Sequence, residues 1–266
     1  MLRKLYKYEF LSLFRTLLPV YAAVLGFAVI NRLSFLINSY ENGIMETLQG
    51  FAVIGYVVSI IAVLAVGFIT VIIRFYKNLL TEEGYLTFTL PVTPNQHIIC
   101  KLLCGVTVIV VNFIVVAISL LILGVGTEFL KLFFEEIKII LDYFTSEYGL
   151  GNIVLIIVMG AVMMIMALMQ AIMMLYASMS VGQRFKNKIL GSAIAYISFY
   201  FLMEIIILII SSPILLKFAV DFEKWVETSV TGVQVLLGGL IVMYLLFATG
   251  YWVITRYFLS NKLNLE

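Results

Sequence analysis

Charged residues are scarce in this sequence of 266 residues. Only 12% of the residues are Asp, Glu, Lys or Arg, whereas 63% are hydrophobic and the mean hydropathy is +1.13. A soluble globule needs more polar side chains than this to cover its surface. The composition therefore excludes a soluble protein and indicates a membrane protein, whose first partner is the lipid membrane.

Residues that carry catalysis are also rare. The chain has one His and two Cys, and it contains neither a GxxxxGK[ST] phosphate loop nor an HExxH pair. Nucleotide binding, metalloprotease chemistry and Ser/His hydrolysis therefore lack the residues that they use. The formal net charge of +2 gives no reason to expect a nucleic-acid partner. We predict that the chain is not an enzyme and has no catalytic residue and no cofactor of its own.

The metal-binding residue types come together once, at His97, Cys100 and Cys104. These side chains share one face of a predicted helix, which is compatible with a soft-metal site. A tetrahedral site would still lack a fourth ligand, and Cys is commonly a small buried apolar residue. We favour helix packing and predict no metal site.

The sequence does have six long apolar runs. Each has about 20 residues or more, enough for a helix to cross roughly 30 Å of hydrocarbon. Backbone groups in lipid need partners within the segment, and the runs are continuous, so they predict helices rather than barrel strands. The fold class is an all-α membrane protein with a single transmembrane domain over residues 1–266. The spans are predicted at residues 17–37, 51–73, 102–124, 152–177, 189–211 and 233–255.

Lys and Arg are distributed unevenly between the two ends of these spans. With the N-terminus inside, 12 fall on the cytoplasmic side and 4 on the opposite side, with Arg32 inside a span. Because cytoplasmic loops carry an excess of Lys and Arg, both termini are predicted to be cytoplasmic. The 12 are Arg3, Lys4, Lys7, Arg15, Arg74, Lys77, Lys101, Arg184, Lys186, Lys188, Arg256 and Lys262.

Three further segments have the pattern of amphipathic interfacial helices. Residues 2–15 are basic and suit the anionic inner leaflet. Residues 128–144 place charged side chains at alternating spacings of three and four, with Leu, Ile and Phe on the opposite face. A shorter stretch, residues 215–228, shows the same separation of charged and aromatic residues. Such helices either anchor the fold in the headgroups or take part in gating and substrate release.

The stretch of residues 74–101 is polar although apolar runs flank it. Its "TPNQ" places Thr93 at an N-cap, Pro94 at the first helical position and Gln96 three residues after the cap, which is a capping-box pattern. Upstream, "KNLLTEEG" predicts a helical extension of the second span that ends at Gly84. A simple connection between two spans needs only a handful of residues. This longer element is typical of a docking surface for another protein.

The same loop, with "EEGYLTFTLPVT" at its centre, resembles the loop between the second and third spans in membrane subunits of bacterial type-2 ABC exporters. The resemblance is to the small permease families in which the ATPase is a separate chain. The opening "LYKYEF", the "YASMSVGQRFKNK" after the fourth span and the closing "NKLNLE" are similar to those families as well. The likeness therefore covers the whole chain.

This resemblance implies a six-helix permease in the bacterial cell membrane that pairs with a second permease protomer, as a homodimer or a heterodimer. It also implies a cytoplasmic coupling helix between spans 2 and 3, seated in a cleft of an ABC ATPase subunit that holds ATP and Mg. The absence of a phosphate loop is expected for such a chain. The coupling role would fall on Leu80, Thr81, Glu82, Glu83, Gly84, Tyr85 and Leu86.

The expected activity is outward transport of an amphiphilic cargo, such as a peptide antibiotic or a lipid-like molecule. The Met-rich fourth span either offers an adaptable substrate surface or, more commonly, packs as an ordinary helix. Two other functions stay open: a membrane scaffold or receptor-like subunit without transport, and an ion-coupled secondary transporter. The scarcity of intramembrane charges disfavours the ion-coupled carrier, because such carriers build chains of ionisable groups near the midplane.

Two charges remain within the predicted spans, Arg32 and Glu204. Counted from the outer ends of the first and fifth spans, they lie at depths of roughly 8 and 10 Å. A lone charge in hydrocarbon costs on the order of 3 kcal/mol, so we predict that the two form an ion pair. The alternative is that each side chain reaches the outer headgroups or water separately.

Overall fold

The computed structural model describes residues 2–36, 43–81, 83–88, 92–228 and 230–261, and every element within them is a helix. The long apolar runs make this outcome unavoidable, because only a helix satisfies its backbone within one segment. The helices are α1 Leu2–Leu36, α2 Gly43–Leu80, α3 Glu83–Phe88, α4 Pro94–Gly124, α5 Glu128–Tyr148, α6 Leu150–Gly182, α7 Lys188–Thr228 and α8 Val230–Asn261.

Six of these helices contain segments long and apolar enough to cross a membrane. Each overlaps one predicted span, with residue 37 of the first span outside the described residues, so the prediction of an all-α, multi-pass membrane protein is confirmed. The segments are Leu2–Leu36, Thr47–Leu80, Pro94–Gly124, Leu150–Gly182, Lys188–Ile210 and Gly232–Asn261.

The predicted amphipathic segments are all helical, but two of them belong to longer helices. Residues 2–15 and the first span form one unbroken helix, α1. Residues 215–228 continue α7, and their side chains, including Lys217, Asp221 and Lys224, lie outside the described residues. Residues 128–144 form a separate helix, α5, and none of its residues is buried against the rest of the chain. Placement of these segments in the membrane interface stays a prediction.

The chain divides into two compact units. Unit 1 comprises residues 1–74 and 103–140, and unit 2 comprises residues 75–102 and 141–266. The single transmembrane domain over residues 1–266 stays a prediction.

Polar side chains link α1, α2 and α4 within unit 1. The Tyr21 hydroxyl donates a 2.6 Å hydrogen bond to Asn112 Oδ1, and Asn112 Nδ2 donates to the Val63 carbonyl at 3.3 Å. Nearer the other end of α1, Asn31 donates to the Ala52 carbonyl at 2.8 Å. Because lipid tails are as apolar as Leu, burial alone does not hold membrane helices together. These interhelical hydrogen bonds, with close packing, give the three helices their register.

In unit 2, α6 packs against α7 and α8. The last third of α6 is almost completely buried. By contrast, only 6% of the most apolar 18-residue stretch of this helix is buried. Three of its Met residues, Met173, Met174 and Met179, have at most 6% of their surface exposed. These three act as core residues, which favours the packing interpretation for this part of the Met-rich helix.

Candidate functional site

A buried aromatic pair lies near the end of α2, just before the connection to α4. The ring of Phe75 stacks on the ring of Tyr176 in α6, with centroids 3.8 Å apart and planes 7° from parallel. The Tyr176 hydroxyl donates a hydrogen bond to the Lys101 carbonyl at 3.2 Å. Phe75, Leu79 and Tyr176 are all at most 1% exposed. The end of α2 and the start of α4 are therefore both held against the same turn of α6.

The helix α2 ends earlier than the sequence predicts. It stops at Leu80, where the Thr81 hydroxyl donates back to the Lys77 carbonyl at 2.5 Å. The Gly84 N–H then donates to the Thr81 carbonyl at 2.8 Å, and the chain restarts as the short helix α3. The prediction that α2 ends at Gly84 is therefore wrong. Gly84 is instead the second residue of α3.

The seven predicted coupling residues divide into a buried base and an exposed edge. Leu80 is 1% exposed and Gly84 is buried, whereas Glu83 and Tyr85 are exposed, Tyr85 to 69%. Thr81 is half-buried at the bend between the helices. We call Glu83 and Tyr85 the docking face. Glu82 and the side chain of Leu86 lie outside the described residues.

The predicted capping box at the start of α4 is confirmed. The Thr93 N–H donates to Gln96 Oε1 at 3.2 Å, and the Gln96 N–H reaches Thr93 Oγ1 at 3.4 Å. Pro94 is the first residue of α4. This reciprocal pair satisfies N–H groups that a helix start would otherwise leave without partners. It gives the docking face a defined boundary on its C-terminal side.

The turn between α6 and α7 adds a second exposed surface that the sequence pattern had not singled out as a site. Arg184, Phe185 and Lys186 are exposed there. The turn is tight: a Cβ at Gly182 would overlap Ser192, and one at Gly191 would lie 2.6 Å from the Phe185 ring. The cluster of Arg184, Lys186 and Lys188 in the sequence was the available signal, since solvated cations of this density favour an acidic partner.

α2 ends five residues after Phe75, and α6 ends six residues after Tyr176. At 1.5 Å per residue both ends lie within about 10 Å of the stacked rings. The docking face and the α6–α7 turn therefore belong to one end of unit 2.

The two intramembrane charges lie in different units, and the ion pair between them stays a prediction. In unit 1, Arg32 Nη2 lies 2.9 Å from the position that a Cβ would take at Gly126. In unit 2, Glu204 is exposed and is joined by a side-chain hydrogen bond to Tyr200, one turn earlier in α7. Glu204 thus has a polar neighbour on its own helix, whereas Arg32 lies against the turn at Gly126.

The described residues show no group arranged to bind a metal ion. In the described part of the chain, no group of three or more His, Cys, Asp and Glu residues could hold a metal ion. His97, Cys100 and Cys104 are each at most 2% exposed. Comparisons with protein-family models, curated proteins and solved structures found no match.

Proposed function

We propose that this chain is the transmembrane subunit of an ATP-driven ABC exporter in the bacterial cell membrane, with ATP and Mg held by a separate ATPase subunit. The observation that carries this proposal is the docking face on α3. A short helix with an exposed Tyr and Glu stands on a buried base, between two helices long enough to cross a membrane. Tyr is enriched among the residues that dominate binding at protein interfaces.

The packing beneath the docking face provides a route for mechanical coupling within unit 2. A force on α3 reaches the end of α2, whose Phe75 stacks on Tyr176 of α6. It also reaches the start of α4, whose Lys101 accepts the Tyr176 hydrogen bond. Close-packed interiors pass on displacements instead of absorbing them. Motion of a partner at the docking face would therefore be passed to the end of α2, the start of α4 and α6.

The proposed cargo is amphiphilic, such as a peptide antibiotic or a lipid-like molecule, because the spans offer mainly apolar surface. A second permease protomer, identical or different, would complete the translocation path. The proposed orientation places both termini and the docking face in the cytoplasm, on the side with more Lys and Arg.

The direct test is co-purification of the tagged full-length chain with candidate ABC ATPases from membranes, followed by measurement of ATP hydrolysis. We expect one ATPase to co-purify in fixed stoichiometry, with hydrolysis stimulated by its cargo. Tyr85→Ala should weaken the association by about tenfold or more, since interface anchors commonly contribute 2 kcal/mol or more.

Tyr143→Ala is the matched control, because Tyr143 is similarly exposed, at 61%, but lies on α5. The Tyr143→Ala chain should co-purify with the ATPase to the same extent as the unchanged chain. If no ATPase associates with the chain, the exporter proposal fails, and a scaffold or receptor-like subunit becomes the better interpretation.

A further inference from the structure

An apolar cavity of about 770 Å³ lies between the last two turns of α4 and the first half of α5, within unit 1. Its size is within the range of roughly 300–1,000 Å³ that is typical of small-molecule sites. Several of the large apolar side chains in its walls are close to half exposed, among them Leu121, Phe133 and Phe134. The cavity is therefore open on one side. We call it the α4–α5 cavity.

One wall of the α4–α5 cavity is the turn that joins the two helices, through Gly124 and Thr127. The turn is well defined: Thr127 donates to the Gly124 carbonyl through both its N–H, at 3.0 Å, and its hydroxyl, at 2.6 Å. Gly126 has a φ of 74°, in the region that favours glycine. The lack of a side chain at Gly126 leaves room for a neighbour.

The guanidinium of Arg32 occupies that room. Its Nη2 lies 2.9 Å from the place where a Cβ would stand on Gly126. Within the described residues, the salt bridge that the structure shows joins Arg74 and Glu9, and Arg32 takes part in none. A cation thus lies beside the turn whose Gly124 and Thr127 line the apolar cavity. This combination matches an amphiphile with an anionic head.

The position of the cavity along α4 indicates which anionic amphiphile would bind there. α4 is one of the six helices apolar enough to span a membrane, and the cavity lies at its end. The ends of spans lie where hydrocarbon gives way to headgroups, and phospholipid is the amphiphile that surrounds the protein there. An Arg guanidinium matches phosphate oxygens with two parallel hydrogen bonds.

We propose that the α4–α5 cavity binds one anionic phospholipid of the membrane, with an acyl chain against Leu121 and Phe133 and the phosphate on Arg32. This site does not depend on an ATPase partner or on transport. It gives the charge of Arg32 a counter-ion at the membrane surface, and it covers the apolar face that α5 leaves exposed.

The test is native mass spectrometry of the full-length chain, released from detergent after titration with palmitoyl-oleoyl phosphatidylglycerol or with the phosphatidylcholine of the same chains. We expect tighter binding of one phosphatidylglycerol. Arg32→Gln should weaken that binding by about tenfold or more, because a charge-assisted hydrogen bond commonly contributes this much. It should weaken phosphatidylcholine binding less, because the choline cation of that lipid already balances the charge of its phosphate. Arg32→Lys should retain part of the preference for phosphatidylglycerol, since Lys keeps the charge but cannot form two parallel hydrogen bonds with the phosphate.

Two further variants distinguish the contribution of the apolar cavity to lipid binding from that of the Arg32 charge. Ala117→Trp fills the cavity, which Ala117 lines, and should weaken both lipids about equally. Arg256→Gln removes an exposed Arg from α8 and should change neither. Unchanged phosphatidylglycerol binding in both Arg32→Gln and Ala117→Trp would overturn the proposal.

The alternative occupants give different results. A second copy of the chain in the cavity predicts that Ala117→Trp changes the oligomeric state while lipid binding stays the same. An ion pair of Arg32 with Glu204 that satisfies the guanidinium predicts that Glu204→Gln raises phosphatidylglycerol binding several-fold. Either result would refute the proposed site, which predicts no effect of Glu204→Gln.

Discussion

At the scale of single residues, Asn112 joins three helices of unit 1 through one side chain. It accepts from Tyr21 of α1 and donates to the Val63 carbonyl of α2, and it is 2% exposed. A Cβ at Gly67 would overlap its amide, so glycine at that position allows α2 and α4 to approach. Small residues and buried polar groups play these two roles in membrane helix packing generally.

We therefore expect Asn112→Ala to destabilise the protein by about 1 kcal/mol, in the range found for interhelical hydrogen bonds in membranes. Thermal unfolding in detergent, followed by intrinsic fluorescence or circular dichroism, measures the loss. Tyr21→Phe removes the same bond from the other side, so the double variant should be little worse than Asn112→Ala alone. Fully additive losses would show that the two residues act independently.

Arg32 and Glu204 carry the second prediction at this scale. If they pair, Glu204→Gln and Arg32→Gln each impair assembly or transport, because each leaves one charge without its partner. The exchanged variant, Arg32→Glu with Glu204→Arg, should then recover part of the loss. Co-purification yield and cargo export measure both effects. A swapped variant no better than the worse single change would exclude the pair and favour separate counter-ions.

At the scale of elements, the start of α4 is stabilised by its own sequence. Thr93 and Gln96 exchange hydrogen bonds between side chain and backbone, with Pro94 between them. We expect Thr93→Ala to weaken the first turn of α4 by about 1 kcal/mol, and Thr93→Ser to be nearly neutral, because Ser caps as well as Thr.

Hydrogen exchange at the amides of residues 95–98 measures this effect. Protection should fall several-fold in Thr93→Ala and stay unchanged in Thr93→Ser, while protection of residues near Asn112 should change in neither. Equal protection in the two variants would mean that the packing of Ile98 and Tyr176 alone holds the turn. Both of these residues are at most 1% exposed.

At the scale of the whole molecule, the proposed exporter predicts that coupling and folding can be separated. We expect Glu82→Ala with Glu83→Ala, or Gly84→Val, to reduce transport strongly while the chain still reaches the membrane. Glu83 is exposed, whereas Gly84 is buried, where a branched side chain has little room. Cargo export and membrane quantification give the two readouts. Normal transport in both variants would remove α3 from the coupling role.

The sequence by itself determined the six spans, the helical class and the capping box. Each of these follows from residues close together in the chain. About 20 apolar residues in lipid must form a helix, because no other conformation satisfies the backbone there. Likewise, Thr93 and Gln96 are three residues apart, so their reciprocal bonds need no distant contact. The helical state of residues 128–144 could be predicted from periodicity for the same reason.

Only the tertiary structure decided which coupling residues are buried and what lies beside Arg32. Phe75 and Tyr176 are far apart in sequence, yet their rings stack near the end of α2, where Leu80 is buried, whereas Tyr85 of α3 is exposed. Apolar periodicity could not reveal this, because in a membrane helix the lipid face is as apolar as the packed face. The place of Arg32 beside Gly126 depends in the same way on the packing of α1 against the α4–α5 turn. Contacts of this kind arise when helices meet, so no local pattern in the chain records them.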